Sequence, residues 1–176
     1  NGQSVALTDP NVLMFGGSAG TTYYNDTNYL DVLSSPSLFT PFGAGCAGPT
    51  AQMPTLTVPA GEVPRLGATC HFTIGNLPSS ALTLPVFVFG ASNTFEPSAS
   101  HPLPFDLGFL GWPGCQQLVS HDIMLATPTL ATQVTHTLTV PVALSLIGYT
   151  FHTQAFVLYA PSGAAVSNAL TGIVGT

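Results

Sequence analysis

No lysine occurs anywhere in the 176 residues, and Arg65 is the single arginine. With seven acidic residues, charged side chains make up 5 % of the chain, against about a quarter in an average soluble domain. The formal net charge is −6, so the clustered cations that nucleic-acid binding requires are missing. Electrostatic docking on anionic membranes is excluded on the same ground. Without lysine there can be no internal Lys–Asn isopeptide bond and no lysine Schiff base. No apolar run is long enough for a membrane-spanning helix. Long helices are disfavoured as well, because the 18 glycines and 16 prolines break helix interiors. A surface this poor in charge stays monodisperse with difficulty. It is expected to be covered by copies of itself or by other material, as in an extracellular structural or adhesive protein.

The length is that of one ordinary domain, able to bury about 70 % of its unfolded surface. The chain begins at Asn1, not Met, with no basic and apolar leader. It is read as a mature secreted chain whose signal peptide has been removed, placed outside the cell or on its surface. Three cysteines leave one unpaired once a disulfide forms. Cys46 and Cys115 each sit in a glycine-flanked turn and are the expected pair. Closing a loop of roughly 70 residues is worth about 4 kcal/mol on the chain-entropy view. Cys70, in the strand-like run Ala68-Thr69-Cys70-His71-Phe72, is expected to be a buried free thiol.

From Cys46 onward, β-rich runs alternate with glycine and proline turns. Strands are expected at Thr55–Val58, Gly67–Ile74, Leu84–Gly90, Gln116–Ser120, Thr132–Val140, Tyr149–Tyr159 and Ala165–Val174. In Thr132–Val140, Val134, His136, Leu138 and Val140 share one face, and Thr135, Thr137 and Thr139 the other, the pattern of a half-exposed antiparallel strand. Pro85-Val86-Phe87-Val88-Phe89 is apolar on both faces and should be covered on both. The expected fold is all-β: an antiparallel β-sandwich, Ig-like or jelly-roll-like, over residues 45–176. Residues 1–44 hold only short apolar pieces and are read as an extended N-terminal arm, too small to bury a core.

Several segments together resemble a known type of module. They are Phe42-Gly43-Ala44-Gly45-Cys46-Ala47-Gly48, Pro64-Arg65-Leu66-Gly67 and Leu103-Pro104-Phe105-Asp106-Leu107-Gly108. Pro113-Gly114-Cys115, Leu118-Val119-Ser120, Gly148-Tyr149-Thr150-Phe151, Gln154-Ala155-Phe156-Val157 and Ser167-Asn168-Ala169-Leu170 follow in order. In order and spacing they resemble a β-sandwich module found near the C-terminus of large secreted and surface proteins of environmental bacteria. The resemblance implies a secreted sandwich with Cys46 and Cys115 near one another, and no activity. Cys70 departs from it, as does the short arm in place of a long preceding protein.

No motif carries a catalytic, cofactor or metal assignment. Gly16-Gly17-Ser18-Ala19-Gly20 matches the G-x-S-x-G elbow, which needs a following helix. Here Thr21-Thr22-Tyr23-Tyr24 follows, so a plain turn is expected. His71, His101, His121, His136 and His152 lack metal-ligand spacing, and Asn25-Asp26-Thr27-Asn28 with Asp31 lacks the calcium-loop pattern. Asn25 heads the one N-x-S/T sequon and is the candidate glycan acceptor. Trp112, Tyr23, Tyr24 and Tyr29 are candidates for stacking on sugar rings, with packing as the default role of Trp112.

Two functions follow. In the first, the protein is a non-enzymatic subunit of an extracellular filament, pilus-like, or of a surface layer. The arm is then the donor strand: Val5, Leu7, Val12 and Met14 enter the neighbouring copy, and the product is a homopolymer. The alternative is a monomeric secreted module that binds glycans or another surface.

Overall fold

A computed structural model describes the strands Val5–Thr8, Asn11–Ala19 and Thr22–Leu30 by their backbone pairing, and residues 36–79, 81–160 and 163–176 with their side chains. The three N-terminal strands are β1 (Val5–Thr8), β2 (Asn11–Ala19) and β3 (Thr22–Leu30). Then come β4 (Leu38–Phe42), β5 (Thr55–Thr57), β6 (Thr69–Gly75) and β7 (Thr83–Gly90). Four two-residue strands follow: β8 (Phe95–Glu96), β9 (His101–Pro102), β10 (Phe105–Asp106) and β11 (Gln116–Gln117). The last four are β12 (Ile123–Ala126), β13 (Val134–Thr139), β14 (Thr150–Tyr159) and β15 (Ala164–Ile173).

All strand pairs are antiparallel, and the body is the expected β-sandwich. One sheet has the order β12-β7-β14-β15-β4 and the other β13-β6-β5. Their inner faces meet in one core. Leu56, Cys70, Phe72 and Ile74 come from the small sheet; Phe87, Phe89, Phe151, Ala155, Val157 and Leu170 come from the large one. Phe72 is fully buried and takes Phe39, Phe89 and Phe151 edge-on, at centroid distances of 5.5, 5.3 and 6.5 Å. Such edge-to-face pairs add about 0.5–1.5 kcal/mol each beyond their burial.

The outer face of the large sheet is covered too. Residues 91–122 cross it and bury Leu118 and Val119 against Val88 and Ala169. This accounts for the doubly apolar run Pro85–Phe89. Gln154, fully buried in β14, fastens that cover. Its Oε1 accepts the Leu118 amide at 2.9 Å, and its Nε2 donates to the carbonyls of Gln116 and Ser167 at 3.0 and 3.1 Å. The Cys46–Cys115 disulfide forms a second fastening, with Cα atoms 5.0 Å apart. Gly90 has no room for a side chain, since a Cβ there would overlap the Ser120 carbonyl. The C-terminal end is clamped: Gly175 accepts from the Leu66 amide at 3.1 Å and donates to the Pro64 carbonyl at 2.9 Å, on either side of Arg65.

The region expected as a single extended arm, residues 1–44, divides in two. Leu38–Phe42 belongs to the sandwich as edge strand β4, paired with β15. The reason is packing, because Phe39 supplies one of the core aromatics. The earlier strands pair with one another as a meander, β1-β2-β3. Gly16–Ala19 lies within β2, with a register shift between Phe15 and Gly17 where the sequence pattern implies a plain turn.

Candidate functional site

A sandwich of two open sheets has four edge strands, and unguarded edges invite pairing with other chains. Here the two sides differ. On one side, β4 and β5 lie against β15. The Asn168 carboxamide on β15 occupies β5: its Oδ1 accepts the Leu56 N–H at 3.0 Å and its Nδ2 donates to the Leu56 carbonyl at 3.1 Å. Edge strand β4 carries Pro41. On the other side, β12 and β13 stand at the ends of their sheets, with no strand beyond either among the described residues.

The exposed edge of β13 has a defined chemistry. The Val140 N–H donates to Ala68 at 2.9 Å, so by antiparallel alternation the even-numbered residues bond β6. Thr135, Thr137 and Thr139 then turn their backbone N–H and C=O groups outward. The edge has no proline, charge or bulge. The side-chain alternation is the expected one, with exposed threonines on the outer face and Val134, His136 and Leu138 inward. Those three inward residues are nevertheless only half-buried, and Leu138 lines an unfilled wedge between β12 and β13.

That wedge is a groove of about 300 Å³. Its walls include Phe89, Leu125, Leu138, Val140, Leu146 and Phe151, with Asp122 the one charged residue among them. Ile123 on β12 lines the groove and stands exposed, and Val142 and Leu144 are exposed in the connection after β13, between the lining residues Pro141 and Leu146. An apolar groove of this kind on a charge-poor protein is a candidate interaction site. The groove combines apolar pockets with free backbone donors and acceptors, the two things an added β-strand needs.

The expected donor residues fall in β1 and β2, whose side chains lie outside the described residues. Their backbone register pairs Val5 with Met14 and Leu7 with Val12. Directly paired residues share a face of a sheet, so all four occupy register positions on one face of the hairpin. β1 is an edge of its own sheet. Tyr23, Tyr24, Asn25 and Tyr29 fall in β3, and their side chains also lie outside the described residues.

A second constellation lies in the cover over the large sheet. Glu96 is 1 % exposed. Its Oε1 accepts from the Ser98 N–H and hydroxyl at 3.0 and 2.6 Å; its Oε2 accepts from Gln117 Nε2 and the His121 N–H, both at 2.8 Å. Burial alone would raise the carboxyl pKa, but the Ser98 hydroxyl and the surrounding amides outweigh it and hold it below the ordinary range. Burial pushes the His121 imidazole down, with Glu96 partly opposing. A buried carboxylate so fully satisfied organises its loop and leaves no lone pair to act as a base.

The other histidines are dispersed. His71 meets Glu62 at 2.7 Å, His101 stacks on Phe105 at 3.8 Å, His136 lies 5.5 Å from Phe87, and His152 contacts the Thr171 hydroxyl at 2.9 Å. Among the described residues no three candidate ligands gather around a metal position. Cys70 is a buried free thiol 3.8 Å from the Val63 carbonyl, its pKa raised by burial. Trp112 is half-buried against the disulfide cluster, the packing role expected of it. No described helix is long and apolar enough to cross a membrane.

Searches against family models, curated proteins and solved structures find no match to this chain.

Proposed function

We propose that the protein is a structural subunit of an extracellular filament or surface layer, assembled by strand addition between copies. The N-terminal segment of one copy lies along β13 of the next. Its β1 edge meets the outward backbone groups of Thr135, Thr137 and Thr139. The face carrying Val5, Leu7, Val12 and Met14 covers the groove below. Each large aliphatic side chain that becomes fully buried there contributes about 1.5–3 kcal/mol. A contact between two different surfaces does not close on itself, so it propagates as a fibre. The observation that carries this reading is the unfilled apolar groove beneath an unguarded, uncharged edge. The scarcity of charge over the whole chain supports it, and a disulfide fits an oxidising compartment.

Sedimentation velocity and electron microscopy on the full-length protein test the reading. Elongated species that grow with concentration are expected. Leu7→Asp on the donor face and Leu138→Asp in the groove should each return the protein to monomers while circular dichroism stays that of a folded β protein. A wild-type protein that remains monomeric at high concentration removes the proposal.

One observation favours a second reading, a secreted glycan-binding module. Phe109 is 71 % exposed beside Phe105, which stacks on His101, making an aromatic strip open to sugar rings. Polysaccharide pull-down abolished by Phe109→Ala in a folded monomer would select this reading.

A further inference from the structure

We propose that Asn168 and Pro41 are specificity-determining residues: they close the β4/β5 side to strand addition and so confine it to the β12/β13 side of each subunit, where β13 borders the groove. This rests on the strand-addition reading and adds to it the direction of growth.

The outward groups on the closed side can be counted from the register. Thr55 and Thr57 pair with Gly75 and Thr73, whereas the Leu56 N–H and C=O are held by Asn168. Those two groups are therefore the ones β5 turns away from β6. A carboxamide presents one donor and one acceptor in a plane, as a strand does, and Asn168 fills the position a foreign backbone would take. On β15, the Val174 N–H donates to Tyr149 at 3.0 Å, so alternation sends the backbone of Ala169, Thr171 and Ile173 toward β4. Their partners are Phe42, Thr40 and Leu38. The groups β4 turns outward are then those of Phe39 and Pro41. Proline brings no N–H, so a chain laid on this edge loses one of its two donors. Of the edges that could extend the sandwich, the closed side carries a side-chain plug and a proline. The β13 edge carries neither.

A subunit with a single acceptor side grows unbranched and with polarity; a second open side would let filaments branch or zip side by side. The test uses the full-length protein carrying Pro41→Val, Asn168→Ala, or both. Pro41→Val lies on an exposed edge where a β-branched residue suits a strand, so it reads the proposal even if Asn168→Ala unfolds. With both guards removed, the concentration for half-maximal association should fall about tenfold, the scale of one or two recovered backbone hydrogen bonds. Images should show branched or ribboned material. Hydrogen exchange at the Leu56 amide, slow in the wild type, should quicken in Asn168→Ala.

A Thr137→Pro background separates this inference from the reading beneath it. Thr137 faces its backbone outward, so the substitution blocks the β13 edge. If Thr137→Pro leaves association unchanged, strand addition at β13 is wrong. If it abolishes association and the guard substitutions restore it, the closed side is a latent edge held shut by these residues. Unbranched filaments at unchanged concentration from the folded Pro41→Val and double variants, or no recovery in the Thr137→Pro background, overturn the inference.

Discussion

At Glu96 a carboxylate removed from water is held by four hydrogen bonds from three residues. Glu96→Gln turns an amide N–H toward groups that are themselves donors. It should cost about 2–4 kcal/mol in urea unfolding, the usual penalty for breaking a buried charged network. The ionisable groups also fix the sign of the pH dependence. Glu62, through the His71 amide above all, and Glu96, through its ring of donors, lie below the ordinary carboxyl value of 4.5 when folded. The unfolded chain therefore takes up these protons first, and their stabilisation, complete above that value, is lost as the pH falls through the folded pKa. Burial lowers the folded pKa of His121 and His152 from 6.5. The unfolded state again binds protons more readily, so this contribution is complete above about pH 6.5 and is lost on acidification. Both sets act in one direction. The melting temperature should fall in two stages between pH 7.5 and 3, and a rise on acidification would contradict these assignments.

Among the elements, the segment over the outer face of the large sheet depends most on a single covalent link. Cys46 and Cys115 are 69 residues apart. Replacing both with serine should cost about 4 kcal/mol on the loop-entropy view, and hydrogen exchange should speed first in residues 91–122. The strands that repeat the β pattern over six or more residues, β6, β7, β13, β14 and β15, were legible within one or two residues of their bounds. Their alternation and Gly/Pro boundaries leave little choice of register. Two strands of the large sheet were not legible. β12 is four apolar residues, Ile123-Met124-Leu125-Ala126, too short to show a period. β4 contains Pro41, which reads as a loop until the outward direction of its nitrogen is known. The groove was hidden for another reason. Its walls come from Phe89, Leu125, Leu138 and Phe151, brought together by sheet pairing that no local pattern encodes. The residues proposed as donors could be named from the sequence because Val5 with Leu7, and Val12 with Met14, are each spaced by two, while Asn168 gave no signal that it would face a strand 112 positions away.

For the molecule as a whole, scarcity of charge sets how association should respond to solvent. A copy-to-copy contact built on backbone bonds and apolar burial has few ion pairs to screen, so the assembly concentration should change little between low salt and about 0.3 M salt. Lowering the pH toward the isoelectric point near 4.8 removes the net repulsion and should promote association. Turbidity or light scattering across both series measures this, and dissociation by moderate salt would point to an ionic interface instead. The clamp around Gly175 has a consequence for resistance to digestion. Digestive enzymes that cut after basic residues find one address in the entire chain, the bond between Arg65 and Leu66. That bond lies beside the C-terminal segment, with the amide of Leu66 and the carbonyl of Pro64 both engaged by Gly175, so it cannot be drawn straight into a protease cleft without peeling that segment away. Trypsin treatment should leave a full-length band on a gel long after ordinary proteins have vanished, a hardness that comes from having almost nothing for the enzyme to recognise.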